Sequence, residues 1–142
     1  MECRRATAVD ADAILALWNT SDVDVSATDT LEHVRRAIAH PDAAFVVAVD
    51  DGQIVGSVIG AFDGWRGNVY RLVVHPEHRR RGIARGLVGE VERVFADWGV
   101  QRVTALVVRD RQPAREFWAA MGYFPDERML RHVRSLDVPS RT

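Results

Sequence analysis

Lysine is missing from this 142-residue chain, and all 19 basic residues are arginine. Coding bias is the plain explanation; the physical consequence is that no side chain carries an ε-amine able to acylate itself. A single cysteine, Cys3, excludes an internal disulfide and a cysteine zinc cluster, and fits a reducing compartment. No run approaches the ~20 apolar residues of a membrane helix. The start "MECRRATAVD" has charges with no apolar run behind them, so no signal peptide is expected and the expected location is cytoplasmic. Neither charge sign is in excess: 19 basic against 20 acidic residues leave a formal net charge of -1, which gives no global pull toward nucleic acid or an acidic membrane. Repeats, low-complexity tracts and Pro/Ser-rich linkers are also lacking, apart from a polar end "DVPSRT" expected to fray, so residues 1–142 read as one domain.

What is present is alternating β-rich and helical patterning. "CRRATA" predicts a short first strand, and Ala11, Ile14, Leu15 and Trp18 recur at helical spacing after Asp10. A second helix is expected from about Asp29, with Glu32 completing a capping box and His40 and Pro41 as the stop. "AAFVVAVDDGQIVGSVIGAF" holds two strands around Asp51-Gly52, a hairpin dipeptide that accepts positive φ, and "VYRLVV" makes a third antiparallel strand. Ile83 to Trp98 keep one apolar helical face up to Gly99, "RVTALVV" follows as a strand, and a helix from about Asp110 carries Pro113 in its first turn. Extended pieces at 123–125 and 129–136 are expected to close the sheet. The fold class is α/β (α+β), with six to seven mostly antiparallel strands in a mixed sheet and about four helices.

Chemistry concentrates in "HPEHRRRGIARG", residues 75–86. A strand that runs through a tight loop onto a helix start aims free backbone N–H groups and the positive helix end at one spot, which suits an anion. Gly82 keeps side-chain bulk away, Ala84 is nearly as small, and Arg79, Arg80 and Arg81 can add forked hydrogen bonds. Neither G-x-x-x-x-G-K-[ST] nor G-x-G-x-x-G occurs, which argues against nucleotide kinases and Rossmann enzymes.

The motif R-x-x-G-x-A, Arg79 through Gly82 to Ala84 between a strand and a long amphipathic helix, resembles the hallmark of the GNAT superfamily of acyl-CoA-dependent N-acetyltransferases. The resemblance extends over "VHPEHRRRGIARGLV", the next strand, the stretch Ala114 to Tyr123, and the hairpin "GAFDGWRG", which looks most like the small bacterial YpeA-like subgroup. It implies a splayed central strand pair, "YRLVV" bulging away from "RVTALVV", with acetyl-CoA as co-substrate and no metal. It further implies that the amides of Arg79, Arg80, Arg81, Gly82, Ile83 and Ala84 hold the pyrophosphate, and that backbone groups of Leu72, Val73 and Val74 hold the pantetheine arm. One of those amides would polarise the thioester carbonyl.

The family's usual asparagine and tyrosine positions on the last helix hold Arg111 and Trp118, both expected beside the coenzyme. Trp118 cannot act as general acid, because an indole N–H does not ionise usefully. A thiol of pKa about 8.5 is nonetheless a tolerable anionic leaving group. For the base, Asp63 is the first candidate, with a turn aspartate bonded to local backbone or to Arg66 as the structural reading. His75 is the second, and with Glu77 it can equally serve as a turn into the loop. Asp22, Asp24 and Asp29 could attract a cationic amine, or form a solvated acidic loop, and Trp18 and Trp65 could line the pocket. The family's N-terminal acetyltransferase branch uses a glutamate on the strand equivalent to "VTALVV"; no acid occurs there, which favours a small-molecule amine over a peptide N-terminus. A homodimer is the oligomer the resemblance offers. A non-catalytic acyl-CoA-binding module and an arginine-rich nucleic-acid binder are the competing classes, the latter disfavoured by net charge.

Overall fold

Alternating and continuous β-branched runs need partners for both faces, and the central strands obtain them. The computed structural model describes residues 1–21, 26–109 and 111–137. Its strands are β1 (Glu2–Arg5), β2 (Ala43–Asp50), β3 (Gln53–Phe62), β4 (Gly67–Val74) and β5 (Val103–Ala105); its helices are α1 (Ala11–Thr20), α2 (Leu31–Ala39), α3 (Ile83–Asp97) and α4 (Gln112–Ala120). The strands lie in the order β1-β2-β3-β4-β5, antiparallel except for the parallel pair β4–β5. Two compact units divide the chain, Met1–Val107 with the sheet and α1 to α3, and Val108–Thr142 with α4.

Asp51 and Gly52 turn β2 into β3 with φ of 51° and 76°, as the hairpin dipeptide predicts, so Asp50 faces Gln53. Cross-strand partners share a face, and this sorts the core. Ala11, Ile14, Leu17 and Trp18 of α1 and Val34 of α2 pack with Phe45, Val47 and Val73 on one face. On the other, α3 buries Ile83, Leu87, Val88, Val91, Val94 and Phe95. Burying a side chain of that size stabilises by about 1.5–3 kcal/mol, so both interfaces are strongly held. Gly99 ends α3 in the left-handed conformation, with φ 78°.

Several boundaries differ from expectation. Thr30, rather than Asp29, caps α2: its side-chain oxygen accepts from the His33 amide, while the Asp29 carboxylate is engaged elsewhere. The last helix starts at Gln112, and Asp110 lies outside the described residues, as do the final residues of "DVPSRT" from Val138. The sheet has five strands rather than six or seven among the described residues, because 123–125 and 129–136 carry no ladder. The physical reason is local: Pro125 has no N–H to donate, and Asp126 turns the chain back by accepting from the Arg128 amide while its carbonyl accepts from that of Met129.

Close approach of α3 to the sheet depends on glycine at one position above all. A Cβ on Gly60 would lie 2.6 Å from Val91 Cγ1 and 3.0 Å from Phe95 Cζ, so Gly60→Ala must push the helix off the sheet. We expect a loss of about 1–3 kcal/mol in urea unfolding. Gly89, on the exposed side of the same helix, has nothing within 4 Å of a Cβ, and Gly89→Ala should gain about 0.5–1 kcal/mol in the same measurement. A gain in stability for Gly60→Ala like that of Gly89→Ala would mean that the contact of α3 with Gly60 does not limit packing.

Candidate active site

β4 holds one more residue than β3 between matched partners. Tyr70 faces Ile59 and Val73 faces Ser57, so Arg71 and Leu72 together oppose Val58. Arg71 takes up the extra residue with φ 52°, a left-handed conformation that costs a side-chain-bearing residue roughly 1–2 kcal/mol. This bulge reverses the strand's alternation. Val69 pairs with Gly60 on the α3 face, whereas Val73 enters the core formed with α1 and α2. On the other edge, β4 pairs with β5 only from Gly67/Val103 to Val69/Ala105. Beyond that point the β5-facing backbone of Tyr70 to Val74 has no strand partner among the described residues, and the two strands part.

The loop after β4 leads to the anion-suited spot expected from sequence. Arg80 and Gly82 both have positive φ, 66° and 77°, and Gly82 caps α3 without a side chain. The first helical bond runs from the Gly86 amide to the Gly82 carbonyl, which leaves the Ile83, Ala84 and Arg85 amides without a helical acceptor. A Cβ on Gly82 would meet nothing within 4 Å, so the approach is open. The three arginines are not equivalent. Arg81 donates to Asp50 Oδ2 at 3.1 Å and lies 2.8 Å from His78 Nδ1, Arg79 Nε donates to the Val74 carbonyl at 3.4 Å, and Arg80 has no protein partner among the described residues.

Both base candidates are engaged with backbone. Asp63 Oδ1 accepts from the amides of Trp65 and Arg66 at 2.8 Å each, closing the β3–β4 turn, and these bonds, Arg66's foremost, hold its carboxyl below the usual range. That turn is at the paired end of β4, with the bulge several residues further along. His75 Nδ1 accepts the Glu77 amide at 3.1 Å, so the neutral ring carries its proton on Nε2. The ring lines a cavity of about 490 Å³ with Asp10, Leu17, Thr20 and Ile54.

Among the residues expected near an acceptor, Asp29 is committed: its Oδ2 accepts from Arg71 Nη2 at 2.6 Å and from the Ser26 amide at 2.9 Å. It is therefore no free anchor for a cationic amine. Asp22 and Asp24 lie outside the described residues. Trp18 is a core residue; its Nε1 donates to Ser57 Oγ at 2.8 Å, and its ring stacks on Phe45. Trp65 is exposed, with the Arg66 guanidinium 4.0 Å above it. In the second unit, Arg111 caps α4, and Trp118 meets the rings of Phe117 and Tyr123 edge-on. Sequence reading missed Arg71; only its place inside "YRLVV", where a polar residue interrupts an apolar strand, could have signalled it.

Comparison with known proteins decides the family. The profile of the Acetyltransferase (GNAT) family matches residues 11–123. The chain belongs to that family. It is an N-acetyltransferase of mixed α/β architecture. An acetyltransferase of Pectobacterium atrosepticum is 33% identical over 123 residues, 87% of each chain. Among solved structures, an aminoglycoside 6'-N-acetyltransferase of Acinetobacter haemolyticus superposes with TM-score 0.78 at 19% identity, over 96% of this chain and all of that one. The PaiA N-acetyltransferase of Thermoplasma acidophilum, solved with coenzyme A, gives 0.78 at 17% identity over 84% and 87%. These structural likenesses speak for the GNAT fold.

The Trp18–Ser57 bond offers a direct check on how the bulge region is held. Ser57 is fully buried, so Trp18→Phe leaves its hydroxyl without the indole donor and should cost about 1–3 kcal/mol beyond the packing change. Adding Ser57→Ala should restore part of that loss. Strict additivity in a double-mutant cycle, read by urea unfolding, would show that the bond contributes nothing.

Proposed function

We propose that this GNAT protein transfers an acetyl group from acetyl-CoA to a primary amine on a small molecule by direct attack, with no acyl-enzyme. The observation that carries the reading is the parting of β4 from β5 immediately before a loop whose helix-start amides are free and open. Coenzyme A fits those features: a diphosphate suits the amides of Gly82, Ile83 and Ala84 with Arg79 and Arg80 beside it, and an amide-bearing arm suits the unpaired edge of Leu72, Val73 and Val74. Arg81 contributes by holding the loop to Asp50. Roles for Arg111 and Trp118 toward the coenzyme rest on family resemblance alone.

In the reaction, the amine lone pair attacks the thioester carbonyl carbon while a β4 amide hydrogen-bonds the developing oxyanion. The C–S bond breaks, the thiolate departs, and the proton lost by nitrogen ends on water or on the thiolate. A tyrosine acid is dispensable, since a thiol of pKa about 8.5 leaves as the anion near neutrality. With Asp63 and His75 engaged by backbone amides, we assign proton removal to water and the pH dependence to the acceptor. An alkylammonium has pKa about 10.4, so kcat/KM should climb through pH 7–9 as free amine accumulates. Asp63 has its pKa lowered and stays ionised throughout that range, so its titration cannot produce the climb.

The test is an amine screen on purified protein, following free coenzyme A thiol. Amine-dependent thiol release is expected, with Asp63→Asn and His75→Ala keeping kcat within about threefold; a fall in kcat of about 100-fold or more in either variant, with the fold intact, would restore that residue as base. Gly82→Glu should lower acetyl-CoA affinity at least ~tenfold, because a carboxylate at the open loop repels phosphate. Unchanged affinity would remove the phosphates from this loop. The second reading, a non-catalytic acyl-CoA-binding module, is favoured by Trp118 at the usual acid position, and it predicts tight coenzyme binding without release across the panel.

A further inference from the structure

The Arg71 guanidinium is the one charged group that the bulge itself carries onto the face formed with α1 and α2. Only its Nη2 is satisfied by protein oxygens, from Asp29 Oδ2 at 2.6 Å and Ser26 Oγ at 3.3 Å. The Nε and Nη1 hydrogens have no acceptor among the described residues. The group is well withdrawn from solvent, with the side chain 21% exposed, and lies 5.5 Å from the centre of the buried Trp18 ring. No buried side-chain nitrogen among the described residues lacks a partner, so these donors are reached by solvent and a ligand can take the place of water on them. They also sit one residue from the backbone assigned above to the thioester.

Resting on that assignment, we propose that Arg71 recognises the acceptor and that the acceptor is an amine carrying a carboxylate. The open Nε–H and Nη1–H point to different sides of the guanidinium, so a carboxylate takes a charge-assisted bond from one of them. Such a grip places an amine a few bonds away at the parted strands. Asp29 has a separate part. By occupying Nη2 it fixes the guanidinium plane and with it the directions of the Nε and Nη1 donors. A polycationic acceptor finds no free carboxylate at Asp29.

The experiment compares matched acceptors with acetyl-CoA saturating: glycine, β-alanine, 4-aminobutyrate, L-methionine and L-phenylalanine against ethylamine, propylamine, L-methioninamide and phenethylamine. The expected result is at least a ~tenfold higher kcat/KM for the best carboxylate-bearing amine over its neutral counterpart. Arg71→Gln should raise KM for that acceptor by about 10–100-fold and leave KM for the neutral amine within about threefold. Because Arg71→Gln strands the Asp29 carboxylate, the double variant Arg71→Gln/Asp29→Asn, which removes both charges, should show the same selectivity loss with the fold intact. Asp29→Asn alone should keep most of the preference.

Three results would overturn the proposal: neutral amines preferred by the wild type, a uniform loss on both acceptor types in Arg71→Gln, or loss of preference in Asp29→Asn equal to that in Arg71→Gln. The last would make Arg71 a positioning residue for the segment at Ser26–Asp29. If no amine releases coenzyme A, the transfer reading fails by itself. Calorimetric binding of N-acetylglycine and N-acetyl-L-methionine against N-ethylacetamide to the coenzyme-loaded protein then decides the Arg71 proposal. Selective, Arg71-dependent binding of the acids sustains it, and equal binding ends it.

Discussion

The extra residue at Arg71–Leu72 sets the geometry on which the rest of the site depends. A strand that gains one residue must change which side chains face which layer, and β4 does so between Val69 and Val73. One residue, Tyr70, separates the bulge from the last position paired with β5, so an edge of main chain becomes available inside a sheet. Backbone polar groups in such a position need partners. The cost of a left-handed arginine is met by its bonds to Asp29 and Ser26 and by contact with Trp18, which tie α1, the segment before α2 and the bulge into one network.

That network has a counterpart on the other face. Gly56 and Gly60 let α3 lie close against β3, with Leu87, Ile83, Val91 and Phe95 filling the space where Cβ atoms would be. Close packing fixes the helix axis and therefore the direction of its first amides. Asp50 at the end of β2 holds Arg81, so the loop preceding the helix is secured from the hairpin side as well.

Much of this was legible in the sequence. Asp51-Gly52, Gly82 and Gly99 announce themselves because each needs positive φ, and the faces of α1 and α3 follow from helical spacing. Local rules failed where long-range partners decide. Asp29 looked like an N-cap because its nearest competitor for that role, Thr30, is equally good in isolation; a guanidinium from β4, far along the chain, breaks the tie. The end of the chain reads as strand by composition, yet β propensity without a paired neighbour yields no ladder, and Met129, Leu130 and Val133 stay exposed. For Asp63 and His75 the sequence offers both a base and a turn residue, and the coordinates show the turn contacts, with backbone amides on Asp63 Oδ1 and His75 Nδ1.

The ion pair between Asp50 and Arg81 alters how the triple arginine should be understood. One of its three positive charges is neutralised by the fold before any ligand arrives. The attraction left to the loop comes from Arg79, Arg80 and oriented peptide dipoles. Dipoles fixed by a helix axis act only within its first turn, and their directions are set by the packing of the helix. A diphosphate held here would thus depend on the fixed direction of α3 as well as on the two remaining positive charges.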